Sequence, residues 1–215
     1  MLILPPFRLA DGSAEAKFQT RVELAWDDQG LEVVFTCEDQ DAWGTFEMHD
    51  DPLWLEEAVE VFLAAGEEDP KVYYEVELSP RGVLFDARVE NPNSRRDDMV
   101  VATNWDWHDI EFAAQSIGKE GSQDWRARLF LPWQGIGLEA APPILRANFY
   151  RIERPRSGEA ELSCWSPTLK SPPDFHQPAR FGTLHLEGHA KRPDPRTKPP
   201  KPGSPPVAFV PRRHR

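Results

Sequence analysis

The chain has 215 residues, of which 40% are hydrophobic and 28% are charged, and its formal net charge is −11. This composition is typical of a soluble globular protein that buries a sizeable core. The charge is uneven, because residues 191–215 carry +7 and residues 1–190 carry −18. An acidic body argues against nucleic acid as a partner.

The first eight residues, MLILPPFR, contain no basic segment followed by an apolar stretch of the length that a signal peptide needs. No later segment approaches the ~18 apolar residues of a membrane span. These features predict a cytoplasmic protein. Cys37 and Cys164 are distant in sequence and are predicted to be free thiols, and the lack of paired Cys and His spacing argues against zinc.

In chain order, alternating apolar residues predict a β-hairpin first. Val22 to Trp26 and Leu31 to Cys37 alternate, and Asp27 to Gly30 supplies turn residues between them. Six further strands are predicted by the same period of two: Val59 to Leu63, Tyr73 to Leu78, Val83 to Val89, Trp125 to Leu131, Leu145 to Ile152 and Phe181 to Leu186. Gly82, after Ser79 to Arg81, predicts a second hairpin.

The whole pattern indicates an all-β fold. Apolar spacing typical of long helices is sustained nowhere, and 22 prolines interrupt most segments. We predict an immunoglobulin-like, two-sheet β-sandwich over residues 1–189, with a closed barrel as the alternative. Residues 190–215 hold eight prolines and are predicted to form a disordered basic tail, in which Val207 to Val210 could dock on a protein partner.

Eight tryptophans are the most unusual feature of the composition. An indole can stack on the apolar face of a sugar, and nearby carboxylates and amides can bind its hydroxyls. Most of the eight are expected in the core. Trp54, in an acidic segment, precedes a strand on which Glu60 projects opposite to Val59 and Val61. Glu60 therefore faces either a ligand or solvent.

A second group of polar and aromatic residues follows near residue 146. Alternation places Arg146, Asn148 and Tyr150 on one strand face, and Trp165 lies just before a Ser-Pro loop. The two groups together supply two aromatic rings, a carboxylate and an amide. They predict a site for a mono- or oligosaccharide.

The order of several segments resembles carbohydrate-binding module family 9. The segments are LAWDDQGLEVVFTCEDQD, DDPLWLEEAVEVFL, YYEVELSPRGVLFDAR, LRANFYRIE, SCWSPT and PARFGTLHL. The resemblance covers roughly residues 10–187 and implies an immunoglobulin-like sandwich that binds the ends of glycans between two tryptophans. It implies that Trp54 and Trp165 form the clamp and that Glu60, Asn148 and Arg81 bind sugar hydroxyls.

The resemblance also implies structural calcium. Acid-rich loops can supply the six to eight oxygen ligands that calcium takes, and Asp39, Asp41, Asp50 and Asp51 are the candidate ligands. No EF-hand spacing is present, so a solvated acidic loop is the alternative interpretation.

Three other functions remain open at this stage. No nucleophile elbow, Walker loop, zinc protease motif or dinucleotide fingerprint is present, which favours binding over catalysis. Met48, His49 and Met99 could serve as axial ligands of a haem. A scaffold that has lost sugar binding and instead contacts proteins is the remaining alternative.

Overall fold

The computed structural model describes residues 1–186 as an almost purely β structure. The predicted boundary at residue 189 and the predicted disorder of residues 190–215 lie outside the described residues. The strands are β1 (Leu2–Ile3), β2 (Arg8–Leu9), β3 (Thr20–Trp26), β4 (Gly30–Cys37), β5 (Ala58–Ala65), β6 (Val72–Leu78), β7 (Leu84–Glu90), β8 (Val100–Ala102), β9 (Glu111–Ser116), β10 (Trp125–Pro132), β11 (Ile144–Glu153), β12 (Glu161–Cys164) and β13 (Gly182–His185). Single turns of 3₁₀ helix lie at Leu53–Leu55, Arg96–Asp98, Trp133–Ile136 and Pro178–Arg180.

The strands form two antiparallel sheets. The first sheet has the order β1-β3-β4-β10-β9, and the second has the order β2-β12-β11-β5-β6-β7-β8, with β13 also paired to β11. The two sheets share no strand, and their apolar faces pack together. This arrangement confirms the predicted two-sheet sandwich and excludes the closed barrel for the described residues.

Both predicted hairpins are present. In the turn between β3 and β4, the Asp27 carboxylate accepts hydrogen bonds from the Gln29 and Gly30 amides at 2.8 and 3.1 Å. In the turn between β6 and β7, Gly82 adopts a φ of +78°, a conformation that glycine reaches at little cost. These turns fix the register of each hairpin, and therefore decide which side chains share a face.

Each face of the second sheet has its own hydrophobic cluster. On the inner face, Val59, Val61 and Phe149 pack against the first sheet, and the rings of Phe149 and Phe35 lie 6.2 Å apart. On the outer face, Phe62 and Tyr150 belong to a separate cluster that residues from the chain segment before β13 cover. The outer face of the second sheet is thus partly apolar and partly covered by the segment that precedes β13.

Both cysteines are buried free thiols, as predicted. Cys37 belongs to the inner cluster and Cys164 belongs to the outer cluster. Among residues 1–186, no helix has the length and apolar character required to traverse a bilayer.

Candidate functional site

One row of side chains crosses the outer face of the second sheet. In the strand register Phe85 lies opposite Glu77, Glu77 lies opposite Glu60, and Glu60 lies opposite Tyr150. Alternation along β5 places Glu60 on this face, because Val59 and Val61 belong to the inner core. The row therefore sets two carboxylates between two aromatic residues.

Trp54 stands at one end of this row. Its ring meets the Phe85 ring edge-on, with 5.2 Å between the centroids, and the residue is 42% exposed. The 3₁₀ turn Leu53–Leu55 holds it in place, because Leu53 is buried in the same cluster as Phe85. Trp54 therefore presents a partly exposed aromatic surface next to Phe85, at the end of the row.

Arg81 lies in the turn between β6 and β7. Its guanidinium approaches the Gly44 carbonyl oxygen and the Glu47 carboxylate at 3.4 Å each, and half of its side chain is exposed. Both contacts are with the segment that leads to Trp54. Arg81 is thus a half-exposed cation beside the segment that leads to Trp54.

Trp165 lies on the opposite, inner face. Its ring centroid is 6.0 Å from that of Phe149, and a Cβ added to Gly182 would come within 2.3 Å of the indole. Its backbone amide donates to the Phe149 carbonyl at 3.0 Å. Trp165 is half-buried and packs against the margin of the core between the sheets.

Asn148 is fully buried and already bonded. Its side-chain amide donates to the Ser166 carbonyl at 2.7 Å, and its side-chain oxygen accepts from the Ser166 amide at 2.9 Å. The pair of bonds anchors the loop after β12 to β11. Asn148 thus holds the loop that carries Trp165.

The structure does not bring Trp54 and Trp165 together around one sugar ring. Trp54 rests on β7, and Trp165 rests on β11, three strands away in the sheet order and on the other face. Strand spacing alone separates them by roughly 14 Å. The clamp between Trp54 and Trp165 stays a prediction, as do the predicted sugar contacts of Glu60, Asn148 and Arg81.

Three glutamates form a buried cluster on the outer face. Glu60, Glu75 and Glu77 are 2%, 4% and 0% exposed, and one oxygen from each lies within 4.8 Å of the others. Neither oxygen of Glu77 accepts a hydrogen bond from a donor among residues 1–186. Burial raises the pKa of Glu75 to about 7, and burial and the neighbouring carboxylates raise the pKa values of Glu60 and Glu77 well above the ordinary range.

This cluster makes stability depend on pH. Because the three pKa values are raised by folding, the folded state holds protons that the unfolded state releases above pH ~4.5. The stabilisation is present at low pH and is lost as the pH rises through the folded pKa values. We expect the melting temperature to fall by about 5 °C between pH 6.5 and 8.5. Glu77→Gln should flatten this dependence in thermal unfolding, whereas Glu139→Gln, at an exposed position, should leave it unchanged.

Sequence reasoning missed the residues at the other end of the row. The Phe175 ring stacks on Tyr150 with 4.3 Å between centroids, and the His176 ring lies 5.0 Å from Phe62. Burial lowers the pKa of His176 to about 3, so that neutral His176 bonds the Tyr73 hydroxyl through Nδ1 at 2.7 Å. Segment 170–180 has no alternating pattern, so its sequence gave no signal of this contact.

The four aspartates predicted to bind calcium are dispersed. Asp39 pairs with the buried guanidinium of Arg151 at 2.6 Å, and Asp41 pairs with Arg156. Asp51 accepts from the backbone amides of residues 47 and 48. Within residues 1–186, no cluster of three or more metal-ligating side chains contains two of the four. They do not fit a single calcium cage, and calcium binding by the chain stays a prediction.

Among residues 1–186, the candidate haem ligands are not paired. The Met99 sulfur lies 3.9 Å from the Tyr73 hydroxyl on the outer face, whereas His49 Nε2 is bonded to Asp86 at 2.8 Å. Asp86 belongs to β7 and alternates with Phe85, so it faces the other side of the sheet. Met99 and His49 therefore lie on different faces of the sheet and could not bind the same haem.

Comparisons with known proteins agree on one family. The model of carbohydrate-binding family 9 matches residues 13–186. A proposed carbohydrate-binding protein from Bacteroides uniformis has a similar structure, with a TM-score of 0.70, 18% identity and coverage of 86% of each chain. A family 9 module from Caldicellulosiruptor kristjanssonii, solved in complex with cellotriose, has a TM-score of 0.54 at 16% identity and covers 93% of this chain and 87% of its own. A family 9 module from the same organism, solved in complex with glucose, has a TM-score of 0.55 at 14% identity and covers 89% of this chain and 88% of its own.

One sequence relative is a protein of Arthroderma benhamiae described as an extracellular protein. It is 32% identical over 82 residues, which are 37% of this chain. The match spans 37% of that protein's length.

Proposed function

The chain belongs to carbohydrate-binding family 9, and from that premise we propose that it binds sugars on the outer face of its second sheet, beside Trp54. One observation supports this location above the others. Trp54 is an exposed aromatic ring at the end of a row that continues into Phe85, Glu77 and Glu60. A stacking surface next to hydrogen-bond acceptors is what recognition of a sugar requires.

Trp54 supplies the first contact in this proposal. The apolar face of a pyranose stacks on the exposed indole, and the sugar hydroxyls turn toward the carboxylates of Glu60 and Glu77. Both carboxylates are buried, so a hydroxyl reaches them only when the side chains above them move aside. Each bond that forms replaces one to water and contributes about 0.5–1.5 kcal/mol.

Phe175 is the second wall in this proposal. It covers Tyr150 at the other end of the row, just as Trp54 covers Phe85. Glu77 and Glu60 lie between these two covered residues. Because Phe85 and Tyr150 lie three strands apart, Trp54 and Phe175 mark the two ends of a site roughly 14 Å long on one face of the sheet, which spans more than one sugar ring.

The ligand class follows from the relatives. Because modules of the family were solved with cellotriose and with glucose, we propose glucose and short glucans as ligands of this chain. Arg81, at the rim, is a contact for a further sugar unit. We assign no catalytic role, and the cytoplasmic location and a protein partner for residues 190–215 stay predictions.

Trp54→Ala should weaken binding of cellotriose at least about tenfold, which corresponds to ~1.4 kcal/mol of lost stacking. Isothermal calorimetry on the purified chain measures this change. The matched control is Leu55→Ala, which removes a neighbouring apolar side chain that is 57% exposed and has no place in the row. Equal affinities of Trp54→Ala and the unaltered chain would refute the proposed location, and no heat with any glucan would refute glucan binding itself.

A further inference from the structure

A cluster of metal-ligating side chains lies beside β7, on residues that the proposed sugar site does not use. His49, Asp50 and Asp106 each offer one ligand atom, and these atoms lie within 4.8 Å of one another. Two loops supply them, one before the 3₁₀ turn Leu53–Leu55 and one between β8 and β9. Residues so far apart in sequence form no spacing motif, so the sequence alone argued against such a site.

A buried carboxylate aligns the two loops. Asp86 is 1% exposed, and its Oδ1 is bonded to His49 Nε2 at 2.8 Å. Its Oδ2 accepts a hydrogen bond from the backbone amide of Trp107, which follows Asp106. The Trp107 indole is itself anchored to the Pro132 carbonyl at 2.9 Å. One carboxylate thus fixes the orientation of the imidazole and the position of Asp106.

The other imidazole nitrogen faces the acidic side chains. His49 Nδ1 lies 3.4 Å from Asp50 Oδ2. The other oxygen of Asp50, Oδ1, is shielded from water and has no well-aligned hydrogen bond within residues 1–186, although the Asp86 backbone amide lies near enough to favour the charged carboxylate. A carboxylate oxygen that has lost its water and is only weakly bonded is costly unless a cation compensates it.

The local charge also favours a cation. In the described part of the chain, no Lys or Arg forms a salt bridge with Asp50, Asp86 or Asp106, and His49 is the basic group paired with the first two. Even a protonated imidazole would leave this group with an excess of negative charge. A divalent ion would balance it.

We propose that His49, Asp50 and Asp106 bind a zinc ion. An imidazole nitrogen with two carboxylates suits zinc, whereas calcium takes oxygen ligands. Three protein ligands leave the fourth tetrahedral position to water. Asp86 acts in the outer shell, since a metal-bound histidine usually donates its second N–H to a carboxylate.

Titration of the purified, metal-stripped chain with zinc alone tests this site. We expect one zinc ion per chain, with affinity reduced at least tenfold in His49→Gln and in Asp106→Asn. Asp97→Asn, in which an exposed carboxylate of another loop is removed, should bind like the unaltered chain. Circular dichroism of each variant confirms that it is folded.

Cobalt provides a second measurement, because its visible absorption reports the ligand set. Cobalt bound through His49 should give a spectrum that His49→Gln abolishes and that His108→Gln preserves, because His108 is an exposed histidine in the same loop as Asp106 but outside the proposed ligand set. Unchanged zinc affinity in both ligand variants would overturn the proposal. Loss of the signal in His108→Gln alone, or binding of calcium in preference to zinc, would overturn it as well.

Discussion

Arg151→Met should lower the free energy of unfolding by about 3–5 kcal/mol at pH 8. Arg151 is 1% exposed, and its guanidinium lies 2.6 Å from Asp39 and 3.6 Å from Glu57. Its face also lies over the Trp125 ring, with 4.9 Å from Cζ to the centroid. Methionine keeps much of the volume but leaves two carboxylates buried without their cation. Urea unfolding followed by tryptophan fluorescence measures the loss.

The pH dependence of this destabilisation distinguishes the loss of the Arg151 charge from the loss of its packing. Burial already raises the pKa of Glu57 to about 8 in the presence of Arg151. Without the guanidinium, Glu57 should take up a proton more readily, so the destabilisation should shrink as the pH falls toward 5. Arg156→Met is the matched control, because Arg156 pairs with Asp41 at the surface and should cost under about 1 kcal/mol. Equal losses in the two variants would contradict this account of Arg151.

Trp165→Ala should destabilise the fold by about 2–4 kcal/mol while the folded protein still binds sugar. The half-buried indole fills the space beside Phe149 and above Gly182, so its removal leaves a gap at the margin of the inner core. Thermal unfolding and calorimetric titration with cellotriose, run on the same preparation, separate the two effects.

Two further variants sharpen this prediction. Gly182→Ala should also destabilise, because the new Cβ would press on the Trp165 ring from the opposite side. Trp54→Ala should show the reverse profile, with weak binding and nearly unchanged stability, because Trp54 is 42% exposed. A stable Trp165→Ala variant that has lost sugar binding would contradict this prediction and support the clamp between Trp54 and Trp165.

The strands were predictable because apolar and polar residues alternate wherever one face of a strand is buried. Val59, Val61 and the residues around Phe149 repeat with a period of two, and each of these segments is a strand. The same pattern placed Glu60 on the face opposite to the inner core. Strand β9 was missed because Glu111–Ser116 has only half-buried side chains at its centre and no apolar alternation.

The composition of the site was less predictable than the fold. Trp165 follows β12 directly, so the face that it occupies depends on the pairing of β12 with β11, which no local pattern reveals. Phe175 comes from an irregular segment, and its contact with Tyr150 arises only in the folded chain. His49, Asp50 and Asp106 converge for the same reason, since Asp86 joins their loops from a third element.

The location of the sugar is the central claim, and the indole N–H signals of the tryptophans test it most directly. In a two-dimensional NMR titration of ¹⁵N-labelled protein with cellotriose, we expect the Trp54 signal to shift progressively to saturation. The signals of Trp125 and Trp133, which are buried in the inner core, should stay in place. The spectrum of Trp54→Phe identifies the shifting signal. A titration in which the Trp165 signal moves and the Trp54 signal does not would contradict a binding site on the outer face of the second sheet.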